Sequence, residues 1–225
     1  MKKEEFVAEF KNTIIEWSKL HETDLLDYRS YRWKGKTYEE SVKLRNALEE
    51  AITGSREKNE GGVNLETVDK IYDWGFGKPF PLRNRENVLE VTREALCFLD
   101  KDDCYHACKS LMQINDVGVA GATKVLGLSN QEKFCIYDSR VGLALSDLKK
   151  DGKKIIRCPP GRRTKGDYVS YEKWNHEWSL DYRKLIWTLE IVRDYLRGKA
   201  SNLRISDIEM ALFMKGARTA SLFTR

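Results

Sequence analysis

The stretch QINDVGVAGATKVLGLSNQEKFCIYDSRVGLAL, residues 113–145, decides the fold. Two apolar helical segments flank a Val-Gly-Val corner at residues 117–119, and a single aspartate, Asp138, follows Gly118 by 20 residues. Because glycine lacks a Cβ, a backbone amide can face outward at Gly118. A helix that begins there presents unsatisfied N–H groups and a partial positive charge, which predicts a seat for a phosphate group. The alternative is a helical hairpin that serves packing alone.

An apolar segment after this corner is followed by the charged sequence Asp138-Ser139-Arg140. The apolar run 134–137 precedes Asp138, which we expect to N-cap a helix that extends through Leu148. A helix start stabilises a carboxylate in its charged form. Capping alone would also explain an aspartate at this position. Lys124, one turn into the helix after the corner, is placed to add a positive charge beside the phosphate.

Composition predicts a soluble globular protein. The chain has 225 residues, of which 41% are hydrophobic and 33% charged, enough to bury a sizeable core. No run of 18 apolar residues is present, so we expect no membrane span. The N-terminal MKKEEFVAEF lacks the apolar centre of a signal peptide. We therefore expect a cytoplasmic monomer, associated with the nucleoid if the source is prokaryotic.

The five cysteines are odd in number and irregularly spaced, which indicates reduced thiols rather than a disulfide framework. Cys104 and Cys108 share a helical face, but no second pair of ligands follows them. We therefore expect no metal and no cofactor.

Apolar residues recur at spacings of three and four along most of the chain, which predicts an all-α fold. The predicted helices cover residues 4–20, 38–53, 64–73, 84–100, 103–113, 120–126, 139–148, 180–197 and 206–215. Asn64 and Asn84 are predicted N-caps, and Ser206 with Glu209 is predicted to form a capping box. The polar stretch 55–62 is predicted to be a loop.

Positive charge concentrates in one segment. Residues 149–165, KKDGKKIIRCPPGRRTK, contain eight Lys or Arg and one acid. Such a basic cluster suits a phosphate backbone, although a solvated loop has the same composition. Short strand-like stretches at 154–156 and 168–170 predict a small β-hairpin within this basic loop.

The residues of the opening stretch resemble the helix-hairpin-helix DNA glycosylases, which include endonuclease III and the 8-oxoguanine glycosylases. Ile114–Ala122 matches the hairpin Leu-Pro-Gly-Val-Gly-x-x-x-Ala, and Ile136–Asp138 matches the apolar run that ends in Val-Asp. The match spans about 35 residues, and Asn115-Asp116 stands where the family has Pro-Gly.

The resemblance implies a two-lobed helical fold. Residues 1–90 would form an N-terminal lobe that the C-terminal helices 180–225 join. Residues 91–150 would form the helix-hairpin-helix lobe, and 151–172 the basic loop.

The resemblance also implies a reaction on double-stranded DNA. Asp138 matches the aspartate that cleaves the bond between base and sugar, where a carboxylate stabilises the positive charge that develops on the sugar. Members that also cleave the strand carry a lysine at the position of Ala120. Because Lys124 lies four residues later, we favour a monofunctional, water-using enzyme. A non-catalytic DNA-binding protein and a purely structural helical domain are the alternatives.

A duplex base must be flipped into a pocket before it can react. The residues expected to line that pocket are Trp74, Phe76, Glu209 and Phe213, unless they pack in the core. The residues expected to contact DNA are Val117, Gly118, Val119, Ala120, Gly121, Lys124, Arg140, Lys153, Lys154, Arg157, Arg162, Arg163 and Lys165.

Overall fold

The structure is a computed structural model that describes residues 1–80, 86–114, 117–159 and 171–222. Its helices are α1 (Lys3–Leu20), α2 (Glu22–Leu26), α3 (Tyr38–Lys58), α4 (Leu65–Phe76), α5 (Val88–Asp100), α6 (Cys104–Leu111), α7 (Val119–Ser129), α8 (Ser139–Ala144), α9 (Tyr171–Leu196) and α10 (Ile205–Leu222), with a 3₁₀ turn at Asp27–Ser30. The only strands within these ranges are β1 (Lys149–Lys150) and β2 (Lys153–Lys154). The predicted all-α class is therefore confirmed, while the two-lobed glycosylase architecture and its boundaries stay predictions.

Several helices, among them α3, α9 and α10, are longer than the sequence predicted. α3 continues to Lys58, so the loop predicted at 55–62 is wrong for its first four residues. Its end is set by backbone geometry, because Gly61 has φ of 89° and donates to the Arg56 carbonyl at 2.8 Å. α9 starts at Tyr171, well before the predicted residue 180.

Of the three predicted helix caps in α4, α5 and α10, one is confirmed, one is wrong and one lies outside the described residues. Asn64 caps α4 as expected, since its side chain accepts the Thr67 amide at 3.0 Å. The capping box at Ser206 is wrong, because α10 already begins at Ile205. Asp207 accepts the Arg204 amide at 3.0 Å instead. The predicted cap Asn84 lies outside the described residues.

The β-hairpin is present but earlier than predicted. β1 and β2 pair antiparallel across a tight turn in which Asp151 and Gly152 both have positive φ, the geometry of a two-residue hairpin loop. Residues 155 and 156 follow as buried chain rather than strand, and the predicted strand 168–170 lies outside the described residues. α8 also ends earlier than Leu148, at Ala144, whose carbonyl accepts the Lys215 ammonium at 3.1 Å.

The core brings the middle of the chain against both ends. α7 contacts α3, α4, α6 and α9, and α10 contacts α8, α9, α2 and the 3₁₀ turn. α9 fixes the segment before α8, because the Tyr182 hydroxyl donates to the Cys135 carbonyl at 3.1 Å. α10 approaches α8 at backbone distance, since a Cβ on Gly216 would lie 1.9 Å from the Arg140 carbonyl oxygen. Within the described ranges, no helix combines the length and apolarity needed to cross a bilayer.

Candidate functional site

The corner before α7 turns its side chains inward and its backbone outward. Val117 and Val119 are buried, while Gly118 is exposed, with nothing within 4 Å of the position of a Cβ. Gly118 is the N-cap of α7, and no side chain caps the helix there. Gly121 is buried against the Tyr72 hydroxyl, and Ala120 is half-buried. The backbone near Gly118 is therefore the part of this corner that can meet a ligand.

Asp138 is held at the start of α8. The residue before it, Tyr137, donates its backbone amide to the Thr123 hydroxyl of α7 at 3.0 Å, which fixes the chain direction. The Asp138 Oδ1 atom accepts the amides of Arg140 at 2.9 Å and Val141 at 3.0 Å, so the predicted N-cap is confirmed. Its Oδ2 atom has no hydrogen-bond partner among the residues that the structure describes. One oxygen is fixed by the helix, and the other remains available.

Lys124 does not reach the surface of the corner. Its residue is only 5% exposed, and its ammonium lies 4.3 Å from the centre of the Phe76 ring. The ammonium donates to the Ala120 carbonyl at 3.3 Å. Space for the side chain comes from Gly75, because a Cβ there would lie 2.3 Å from the Lys124 Cε atom. A phosphate at the corner would therefore not meet this amine directly.

Burial changes the chemistry of this amine. Desolvation lowers the pKa of Lys124 to about 8, and the carboxylates of Asp138 and Glu209 oppose that shift only in part. Within the described part of the chain, Lys124 forms no ion pair. At pH 7, roughly a tenth of the Lys124 side chains therefore carry a neutral amine, far more than at the ordinary lysine pKa.

A second buried charge, that of Glu209, acts on the pKa of Lys124 and is itself paired. Glu209 of α10 accepts from Arg45 of α3 in a bidentate pair, with distances of 2.6 and 3.1 Å. Both residues are almost completely buried, at 1% and 2% exposure. Burial raises the pKa of Glu209 above its ordinary value, while Arg45 opposes the shift. The Glu209 carboxylate is thus held in one orientation.

Aromatic rings surround these charges. Phe213 lies edge-on to Trp33, with ring centres 5.3 Å apart. The Arg140 guanidinium lies 4.6 Å from the centre of Phe213 and 5.6 Å from that of Trp33. The Arg45 guanidinium lies 5.3 Å from the ring of Trp74. Arg140, expected at a phosphate, therefore lies over Phe213, which was expected in the pocket, and over Trp33, which was not.

The charges form one electrostatic cluster. Asp138 acts on the pKa values of both Lys124 and Glu209, and Arg140 acts on that of Lys124. Burial raises the pKa of Tyr31, and Asp138 and Glu209 act in the same direction. We call this cluster the candidate site, and it consists of Tyr31, Trp33, Arg45, Trp74, Phe76, Lys124, Asp138, Arg140, Glu209 and Phe213. The expected catalytic residues and the expected pocket residues are therefore brought together.

The basic loop is only partly described. Lys153 and Lys154 are exposed on β2. Lys154 and Asp138 both act on the pKa of Cys158, which burial raises, so this segment approaches the candidate site. Arg157 is already engaged by Glu177 and Asp181. The other three predicted phosphate contacts, Arg162, Arg163 and Lys165, lie outside the described residues.

A separate open groove of about 540 Å³ runs along the outer face of α3. It is lined by Asn46, Glu49, Glu50, Thr53, Gly54, Glu57 and Arg204. Its three carboxylates would repel a phosphate backbone. Among the described residues, no group of His, Cys, Asp or Glu side chains is arranged to hold a metal ion.

Three members of the candidate site, Tyr31, Trp33 and Arg45, were missed by sequence reasoning. Arg45 lies on the apolar stripe of α3, three residues from Val42 and seven from Ile52, and a charge in that phase signals a buried pair. Trp33 is a lone aromatic among Arg32, Lys34 and Lys36. Such interleaving of aromatic and basic residues is typical of a binding surface.

Comparison of the chain with protein-family models, with curated proteins and with solved structures returned no match.

Proposed function

We propose that this protein is a DNA glycosylase-like enzyme that hydrolyses the N-glycosidic bond of a damaged or modified base flipped out of double-stranded DNA. The observation that carries the proposal is the state of Asp138. One of its carboxylate oxygens is fixed by two amides at the start of α8, and the other has no partner within the described residues. This free oxygen belongs to a cluster of aromatic rings and cations.

The reaction follows from the chemistry of the bond. As the base departs with the bonding electrons, positive charge develops on the sugar, and a preorganised carboxylate stabilises that charge. The same carboxylate orients a water molecule, whose hydroxyl adds to C1′ while its proton goes to the departing base. Because Asp138 Oδ1 is already held, Oδ2 needs little reorganisation to do this.

The surrounding rings suit a flipped base. A base outside the duplex loses its stacking partners, and aromatic side chains replace them. Trp33 is half-buried and supplies a ring face, Phe213 packs behind it in the core, and Arg140 lies over both of them. The base enters by stacking on these groups, with Arg140 shifting toward the neighbouring phosphate. Oxidised purines and phage-type modified bases are the candidate substrates, which correspond to roles in repair and in defence.

A strand-cleaving reaction through Lys124 is a second candidate. The observation that favours it is the lowered pKa, about 8, which supplies a neutral amine able to attack C1′. The ammonium is nevertheless covered by Phe76 and bonded to the Ala120 carbonyl. Hydrolysis through Asp138 does not require the Lys124 amine to be uncovered, and for this reason we prefer it.

The test compares the wild type with Asp138→Asn on a panel of duplexes that carry oxidised purines or phage-type bases. Asparagine caps a helix as well as aspartate does, so the variant keeps its fold and its DNA affinity. Base release is expected to fall by about 100-fold or more, because the charge that stabilises the sugar cation is lost. Asp103→Asn is the matched control, since Asp103 caps α6 in the same way.

Three outcomes distinguish the proposed hydrolase from a non-catalytic DNA-binding protein and from a lyase. Duplex binding without base release from any substrate identifies a non-catalytic DNA-binding protein. Equal activity of Asp138→Asn and the wild type removes Asp138 from the mechanism. Strand nicking without alkali, with a borohydride-trapped adduct that Lys124→Met abolishes, establishes the lyase reaction.

A further inference from the structure

A tight turn precedes α3 and carries an unusual density of positive charge. Its sequence is RWKGK, residues 32–36, and we call it the basic turn. Trp33 and Lys36 pair through both of their backbone groups, at 3.0 and 3.4 Å. The two residues between them have positive φ, 51° at Lys34 and 78° at Gly35. This is the geometry of a two-residue hairpin, so the cations are presented by a rigid backbone.

The basic turn is anchored on the candidate site through Trp33. The Trp33 indole donates to the Trp74 carbonyl at 3.3 Å, and its ring lies edge-on to Phe213. The Lys34 ammonium donates to the Asp73 carbonyl at 3.0 Å. The turn therefore lies at the edge of the site, fixed to α4 and α10.

The cations of the basic turn are exposed. Arg32, Lys34 and Lys36 form no ion pair with an acid among the residues that the structure describes. The carboxylate of Glu40 bonds to the Thr37 amide, which lowers its pKa, and Lys36 and Arg32 add to that effect from a longer distance. Arg157 differs, because two acids already engage it. The charge of the basic turn thus remains available to an anionic partner.

We propose that the basic turn is a second DNA-contacting element, in which Arg32 and Lys36 bind backbone phosphates beside the flipped nucleotide. The proposal rests on the function proposed above. Cations near a base pocket gain affinity by releasing counterions from the strand that enters it. A rigid turn loses little conformational entropy when it binds, so its contacts also fix the register of the duplex.

The test measures duplex binding as a function of salt. The probe is a fluorescent duplex with a stable abasic analogue, and the variant is Arg32→Gln/Lys36→Gln. The control is Lys58→Gln/Lys101→Gln, which removes the same charge from two exposed residues, Lys58 at the far end of α3 and Lys101 at the end of α5. Lys58 lies about 30 Å from the start of that helix, given a rise of about 1.5 Å per residue.

Loss of two phosphate contacts is expected to reduce the slope of log K against log salt by about 2, and affinity at 0.1 M salt by about tenfold or more. The control is expected to keep the wild-type slope. An unchanged slope for the Arg32/Lys36 variant, or an equal change in the control, overturns this inference even if the wild type releases a base. A wild type without salt-dependent duplex affinity overturns the proposed function and this inference together.

Discussion

Two buried cations lie in the candidate site, and they are held in opposite ways. Arg45 makes a bidentate pair with Glu209, so each charge has an opposite charge beside it. Lys124 is as deeply buried, but among the described residues its ammonium contacts a carbonyl and a ring rather than a carboxylate. Arg45 therefore stabilises the arrangement of α3 and α10, whereas Lys124 remains a reactive group whose charged form the fold disfavours.

The two buried cations therefore have different roles within one cluster: Arg45 is structural, and Lys124 is chemically reactive. A paired buried charge keeps its protonation state and fixes geometry. An unpaired buried amine has a lowered pKa and costs stability, which proteins retain mainly where a function needs it. Substitutions at the two positions should consequently change the free energy of unfolding in opposite directions.

The largest effect is expected for Arg45→Met. It leaves the buried Glu209 carboxylate without a partner, and the free energy of unfolding should fall by about 3–5 kcal/mol. Urea denaturation at pH 7 measures this loss. The double variant Arg45→Met/Glu209→Leu should recover most of it, because no unpaired charge remains. A loss below about 1 kcal/mol in the single variant would contradict a structural role for the pair.

Lys124→Met should act in the opposite direction. Lowering the pKa from 10.5 to about 8 corresponds to a cost of at most about 3 kcal/mol at pH 7, which methionine removes. The folded protein gives up the Lys124 proton near pH 8, whereas the unfolded chain keeps it to about pH 10.5. Wild-type stability gains from this group as pH rises, so the advantage of the variant should shrink across that window. Denaturation of both proteins at pH 7, 9 and 10.5 checks this, and a constant difference would refute it.

Gly75→Ala tests the contact between α4 and the Lys124 side chain by changing the α4 residue. The new Cβ would lie 2.3 Å from the Lys124 Cε atom, so we expect a loss of about 1–2 kcal/mol despite the better helix propensity of alanine. In a Lys124→Ala background, the same change should become neutral or stabilising. Gly54→Ala in α3 is the matched control, because no atom lies within 4 Å of its Cβ position, and it should be stabilising. Thermal melts of the four variants complete the cycle.

The smallest effect concerns Asp138. Asp138→Ala removes the acceptor for two amides and should lower the free energy of unfolding by about 1 kcal/mol. Asp138→Asn should change it by less than about 0.5 kcal/mol, since asparagine also caps helices. Chemical denaturation compares the two. A large loss in Asp138→Asn would mean that its effect on activity reflects misfolding.

Local signals in the sequence predicted the parts of the site that depend on local structure. Asp138 at the N-cap of α8 and Asn64 at that of α4 follow from preferences that act over three residues. The all-α class follows from apolar periodicity. Ser206 failed as a cap because α10 already begins at Ile205, and Asp207 in its first turn accepts the amide of Arg204, the residue before the helix.

The parts that could not be predicted depend on contacts between distant segments. Arg45 and Glu209 are 164 residues apart, and nothing local identifies them as partners. From the sequence, Lys124 cannot be distinguished from an ordinary surface lysine. Its burial depends on the space that Gly75 leaves on another helix. The anchoring of Trp33 on Trp74 and Phe213 likewise requires three elements to meet.

Gly216 fixes the position of α10 against the residues that follow Asp138. Glu209, Phe213 and Gly216 recur at steps of four and three, so they share one face of a single helix. A side chain at Gly216 would collide with the backbone of Arg140, two residues after Asp138. Two residues of the proposed pocket and the backbone that positions Asp138 are thus held against each other by one helix. Under the proposed function, substrate preference can change through the side chains along that face but not through a shift of the helix, because such a shift would displace Asp138 and the proposed pocket residues together.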